Sequence, residues 1–196
     1  MNPASNETVA TLRVELEGIQ PLIWRRFAVC TATTLDKLHR VIQAAMGWQD
    51  RHLWMLTAGD CNFSLVIHGD DDWNKRVTNA KAITLTTIMS SNLKTLGYCY
   101  DFGDNWEHRV FVESTKPALS QSVCPRFLGG ERRCPPEDCG GIPGYYDFLN
   151  RLSGRSARER KAALDWYGGP YDPDDIDEQQ IKASFEQLVQ SLAENR

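Results

Sequence analysis

Residues 98–112 read Y-C-Y-D-F-G-D-N-W-E-H-R-V-F-V. Tyr98, Tyr100 and Phe102 alternate with Cys99 and Asp101, the two-residue repeat of a half-buried strand. Gly103, Asp104 and Asn105 then cluster, and such residues accept positive φ or cap turns through their side chains. The return run sets Trp106, His108, Val110 and Val112 on one face and Glu107, Arg109, Phe111 and Glu113 on the other. The stretch therefore reads as a β-hairpin whose tip gathers Asp101, Asp104 and His108. Turn chemistry beside a surface histidine explains that grouping, and so does a binding site.

Upstream, residues 9–16 alternate as a strand, with Leu12, Val14 and Leu16 on one face. A turn over 18–21 leads to a second strand at 22–29, where Leu22, Trp24 and Arg26 oppose Ile23, Arg25 and Phe27. Trp24, Arg25 and Arg26 are candidates for holding phosphate or carboxylate. The plainer expectation is an edge strand kept soluble by charge. Thr33 or Thr34 opens a helix to Met46, with Leu35, Leu38, Ile42 and Ala45 on one stripe and Gly47 closing it. Strands are expected at 52–57 and 62–67, a solvated acidic loop at 68–72, a polar connection at 73–81 and a short helix at 85–89.

Downstream, periodicity disappears over residues 114–144, which hold five of the nine prolines and the thiols Cys124, Cys134 and Cys139. So long a loop is usually functional or tied down. Helices are expected at 145–152, 157–166 and 177–193, the last with Ile181, Phe185, Leu188 and Leu192 on one stripe and acids where the dipole favours them. These elements make an α+β fold: an antiparallel sheet with one packed amphipathic helix and flanking C-terminal helices. A chain of 196 residues fits one domain, with a sheet-plus-helix core to 113, the loop to 144 and a helical remainder.

Net charge of −4 argues against non-specific nucleic-acid binding as the main business. The start carries no secretory signal pattern, and no run nears the ~18 apolar residues of a membrane span. The expectation is a soluble, cytoplasmic protein whose six cysteines are thiols or metal ligands. The spacing C-x9-C-x4-C makes Cys124, Cys134 and Cys139 a candidate site for zinc or another divalent metal, with His108, Cys99 or His52 as fourth ligand. Buried structural thiols are the plainer alternative. The P-P-E-D block at 135–138 projects Glu137 and Asp138 beside Gly140 and Gly141. Asp101, Asp104, Glu137 and Asp138 could hold a hard divalent cation, with His108 or His52 as general base in phosphate-ester hydrolysis. His52 and Trp106 join Trp24, Arg25 and Arg26 as ligand-binding candidates. No P-loop, G-x-S-x-G or H-E-x-x-H assigns a reaction.

I-W-R-R at 23–26, L-H-x-x-I-Q-x-x-M-G-W at 38–48, Y-D-F-G-D-N-W-E-H at 100–108 and C-P-P-E-D-C-G-G at 134–141 together resemble the plasmid pRiA4b ORF-3-like family. H-L at 52–53, G-Y at 144–145 and D-P near the C-terminus fit as well. The resemblance implies a bacterial or archaeal α+β domain, functionally uncharacterised, encoded on plasmids or near insertion elements. Some relatives carry a resolvase-like label, but no serine-recombinase constellation or helix-turn-helix is legible here. Phe127 stands where relatives carry a cysteine, which weakens a thiolate site. The resulting expectation is an accessory protein of mobile DNA that binds a small ligand or protein partner. Its acidic cleft would form where the 114–144 segment folds over the hairpin. A metal-dependent hydrolase and a DNA-associated accessory factor are the alternatives.

Overall fold

Alternating runs build one sheet. In the computed structural model, which describes residues 8–118 and 123–194, β1 (Thr8–Leu16) buries Ala10, Leu12, Val14 and Leu16 in strict alternation. β2 (Ile23–Cys30) buries Ile23, Arg25 and Phe27 on the same side. The remaining strands are β3 (Trp54–Ala58), β4 (Cys61–Ser64), β5 (Thr78–Asn79), β6 (Thr95–Tyr100), β7 (Trp106–Pro117) and β8 (Arg126–Glu131). They lie in the order β5-β4-β3-β6-β7-β1-β2-β8, and every pairing is antiparallel except β4 with β5. The hairpin read from residues 98–112 is β6–β7, with Tyr98 opposite His108 and Tyr100 opposite Trp106 at the centre of the sheet.

Helix α1 (Leu35–Met46) lays its apolar stripe on that core, and Leu35, Leu38, Ile42 and Ala45 are fully buried. Gly47 closes it at φ 81°, a left-handed conformation that glycine adopts without strain. Thr34 holds the N-cap position but makes no side-chain cap; the Leu35 amide bonds the Ile83 carbonyl instead. Two short helices follow, α2 (Asp71–Asn74) and α3 (Leu85–Ser90), and α4 (Gly141–Ser153) packs on α5 (Ala157–Tyr167). α6 (Glu178–Glu194) crosses α1 and β8, and its Phe185 ring sits 6.2 Å from Phe27 and 5.8 Å from Phe127. The α+β architecture with flanking C-terminal helices stands. Among the described residues no helix is long and apolar enough to cross a membrane.

Several sequence expectations give way. The 114–144 segment is not structureless: β7 extends to Pro117, and β8 pairs with β2 as the outermost strand. A bulge between Arg26 and Phe27 offsets this pairing and breaks the alternation that would have announced a strand. β2 is therefore internal, not an edge. The expected strand at 52–57 starts at Trp54, leaving His52 in the preceding loop. The strand expected at 62–67 ends at Ser64, and the acidic loop at 68–72 runs into α2, with Asp70 accepting from the Trp73 amide.

The Arg25 side chain runs under β8, and there only glycine fits. A Cβ at Gly130 would stand 2.6 Å from the Trp24 carbonyl oxygen and 2.7 Å from Arg25 Cδ. We expect Gly130→Ala to destabilise the fold by about 1–3 kcal/mol through overpacking. Gly169→Ala, where nothing lies within 4 Å, should leave the urea midpoint almost unmoved. Equal midpoints for the two variants would refute this packing of Arg25.

Candidate functional site

The hairpin tip is shaped by one carboxylate. Asp101 leaves β6 at φ 55°, and its Oδ1 accepts from the amides of Gly103 (2.9 Å) and Asp104 (3.3 Å). Asp101, not Asp104, is thus the turn cap. Asp104 instead reaches away from the hairpin, and its Oδ2 accepts from the Gly140 amide at 3.1 Å. Gly141, at φ 66°, lies so close that a Cβ would stand 2.6 Å from the Asp104 carbonyl oxygen. The proline-and-thiol segment therefore docks on the acidic tip, as the cleft expected from sequence requires.

Two further clamps fix what this contact brings together. Glu137 Oε1 accepts from the Gln49 amide at 2.7 Å and from the Tyr100 hydroxyl at 3.1 Å. Burial, with Glu137 nearby, pushes the Tyr100 phenol up, so it stays a donor. The loop before β3 is held from below: the Asp50 amide bonds Gln43 Oε1 (2.9 Å) and the Arg51 amide bonds the Tyr100 hydroxyl (3.0 Å). Burial holds His39 below the usual imidazole range, so its Nε2 donates to Asp50 (2.7 Å) and its Nδ1 accepts from the Tyr98 hydroxyl (2.9 Å).

His52 is the residue on which all of this converges. Its Nε2 stands 3.0 Å from Asp138 Oδ1, 3.6 Å from Asp101 Oδ2 and 3.7 Å from Glu137 Oε2. That nitrogen is covered yet accepts or donates no hydrogen bond: the Asp101 and Glu137 oxygens are too far, and the Asp138 oxygen, though near, is poorly aligned. Ligand atoms of His52, Asp101 and Asp138 all fall within 4.8 Å of one another. Two ligands bonded at about 2.1–2.2 Å to one ion stand roughly 3.0 Å apart at right angles and roughly 3.5 Å apart in a tetrahedron. The three distances from His52 Nε2, 3.0 to 3.7 Å, span that range and reach slightly beyond it. The Asp101 and Glu137 side chains are each 11% exposed and Asp138 is 59% exposed, so the cluster is closed from beneath and open on one side.

The other sequence candidates are placed elsewhere. His108 is not a surface base: it is buried, its Nδ1 bonds the Tyr98 carbonyl at 3.1 Å, and burial pushes it down to about 4. Trp106 is buried beside Trp48, with ring centroids 6.1 Å apart. No three ligand atoms of Cys124, Cys134, Cys139 and His108 lie within 4.8 Å of one another among the described residues, so the expected thiolate site is not assembled. Cys134 is buried against Arg25 and Met46, and burial pushes the Cys139 thiol up to about 12 and the Cys99 thiol up to about 11. The Trp24–Arg25–Arg26 group divides between the two sheet faces. Arg25 is inside, while Trp24 lies under Arg13 and Arg26 (4.8 and 5.4 Å to its ring) and Arg26 forks onto Glu113 (2.7 and 2.8 Å). His52 carried no spacing signal, being one histidine in a polar loop.

A family model described as plasmid pRiA4b ORF-3-like protein matches residues 8–180. The chain is 33% identical over 186 residues to the uncharacterized protein y4hQ of Sinorhizobium fredii, covering 94% of this chain and 91% of that protein. It is also similar to the crystal structure of a protein of unknown function, MM3350 from Methanosarcina mazei Go1. There the identity is 30% and the TM-score 0.79, over 89% of this chain and 98% of that one.

Two predictions follow from the geometry at the tip and beneath it. Gly141→Ala places a methyl against the Asp104 carbonyl at positive φ and should destabilise by about 1–3 kcal/mol. Asp104→Ala, which loses one hydrogen bond, should cost nearer ~1 kcal/mol; the reverse order in urea unfolding would show that the docking does not need the missing Cβ. His108 sets a pH dependence. Below 6.5 the unfolded chain takes up a proton that the folded residue refuses until about pH 4. Its contribution is therefore full above pH 6.5 and falls as pH drops toward 4, by about 2 kcal/mol between pH 7 and pH 5. His108→Gln should flatten that part of the stability profile; an unchanged slope would place the titration elsewhere.

Proposed function

This chain belongs to the plasmid pRiA4b ORF-3-like family, and we propose that it binds a divalent metal ion through His52, Asp101, Glu137 and Asp138. The supporting observation is the covered His52 Nε2 with three carboxylate oxygens 3.0 to 3.7 Å away and no hydrogen bond to any of them. Clustered carboxylates repel one another unless a cation lies between them. An imidazole among carboxylate oxygens suits zinc or manganese better than calcium, which prefers oxygen alone. Tyr100 and the Gln49 amide hold Glu137 in the manner of outer partners that orient a ligand. The mobile-element setting expected from the sequence rests on the family's description alone.

The open side at Asp138 favours a second reading, hydrolysis of a phosphate ester at the bound ion. A closed structural site has no position for water, whereas one with a free side can activate it. An acidic centre repels a phosphate backbone unless the metal is present, so the DNA-associated reading ranks behind both.

The test uses protein stripped with chelator and then titrated separately with zinc, manganese, magnesium and calcium. One ion per chain by elemental analysis is expected, with zinc or manganese raising the melting temperature. At a hundredfold excess over Kd the stabilisation should reach about 2.7 kcal/mol. Asp138→Asn, which removes a ligand and no turn cap, should abolish the shift without lowering the metal-free melting temperature. Metal-dependent turnover of a chromogenic phosphate monoester, lost in Asp138→Asn, would establish the hydrolase. If no divalent ion binds or shifts melting, the proposal fails.

A further inference from the structure

Arg25 is a buried cation with no anionic partner. It is 1% exposed, and no carboxylate lies within ion-pair distance of it among the described residues. Its Nε donates to the Ala45 carbonyl (2.9 Å), its Nη1 to the carbonyls of Trp24 (2.8 Å) and Glu131 (2.9 Å), and its Nη2 to Cys134 Sγ (3.3 Å). A guanidinium has five N–H donors, and these contacts use four. The Cys134 thiol does not supply the missing charge, because burial pushes it up in spite of Arg25. The Ala45 carbonyl belongs to the C-terminal end of α1, whose dipole offsets part of the positive charge. That explains why an arginine is tolerated here. It leaves the fifth N–H, and the uncompensated remainder of a buried charge, without a role.

This guanidinium lies just under the wall of a cleft. A cavity of about 270 Å³ lies between the end of α1, residues 133–137 and the ends of α5 and α6, and Arg25 and Cys134 line it. Arg133, with a 16% exposed side chain, is a second guanidinium on its wall, shared with Asp177 at 2.9 Å and Asp175 at 3.7 Å. Trp48 and the largely exposed Trp166 supply apolar sides. The volume is at the small end of ligand sites, enough for an acid group on a small molecule.

We propose that this cleft binds a small oxyanion, a carboxylate or a phosphate group, held by the Arg25 guanidinium that lines it, with Arg133 beside it. The planar fork of arginine matches either group. The site uses residues other than the proposed metal ligands except for Glu137, which lines the cleft and faces His52 on its other side. A ligand carrying an acid group here would lie next to the carboxylate cluster, so one molecule can address both.

The experiment uses chelated full-length protein, so the metal centre has no part in the outcome. Inorganic phosphate and sodium acetate are titrated separately against sodium chloride at matched ionic strength. Melting temperature and site-resolved labelling of Cys134 by methyl methanethiosulfonate are followed, with the exposed Cys61 as internal control. Phosphate, acetate or both should raise the melting temperature and slow Cys134 labelling several-fold while Cys61 labelling is unchanged. Which anion acts identifies the chemistry. Arg133→Gln should weaken the effect at least severalfold in anion concentration and leave divalent-metal titrations as they were. Arg25→Gln should remove it; if that variant does not fold, protection of Cys134 in the unsubstituted protein and its loss in Arg133→Gln decide. An effect reproduced by chloride, no protection by either anion, or protection undiminished in Arg133→Gln would each overturn the assignment.

Discussion

The contact on which the site depends is the docking of the C-P-P-E-D-C-G-G segment onto the tip of the β6–β7 hairpin. The Gly140 amide bonds Asp104, and Gly141 has no Cβ where the Asp104 carbonyl passes. Those two features bring Glu137 and Asp138 within 4 Å of His52, next to Asp101. Without them the carboxylates would be ordinary loop acids on separate parts of the surface. The docking joins pieces more than thirty residues apart in the chain, so each pays its own ordering entropy before the contact repays it.

Under the tip lies a polar seam in an otherwise apolar core. Tyr98, His39, Gln43 and Asp50 bond one another, and His108 bonds the Tyr98 carbonyl. Buried polar groups are tolerated when they are paired, and here the pairing has a direction. It runs from α1 through the sheet to the loop that carries His52. Trp48 packs edge-on to His108 at 5.2 Å and reaches Pro135 through its Nε1 (3.0 Å), so the same helix end also steadies the docked segment. Gln49 adds its amide to Glu137. Apart from the exposed Gln49 and Asp50, the residues of this seam are core residues.

Arg25 performs the corresponding service on the other flank, linking the end of α1 to β2 and β8. Its burial rests on Gly130, and its neighbour Arg26 faces the opposite side of the sheet with Trp24 and Glu113. Two adjacent arginines thus have unrelated roles because a strand turns successive side chains to opposite faces. Adjacency in the sequence misleads here for that reason.

Short-range periodicity by itself determined the α+β class, the central hairpin, the buried stripe of α1 and the C-terminal helices, because helix and strand each impose a repeat that survives in any context. The blocks D-F-G-D and P-P-E-D-C-G-G also marked Asp101, Asp104, Glu137 and Asp138 as belonging to one place, although Asp104 turns out to hold the Gly140 amide instead of facing His52. Only the tertiary structure decided that His52, and not His108, faces them, that the thiols assemble no metal set among the described residues, and that β8 completes the sheet. A histidine's partner and a bulged outer strand are fixed by packing between distant segments, and no local pattern in the chain records that packing.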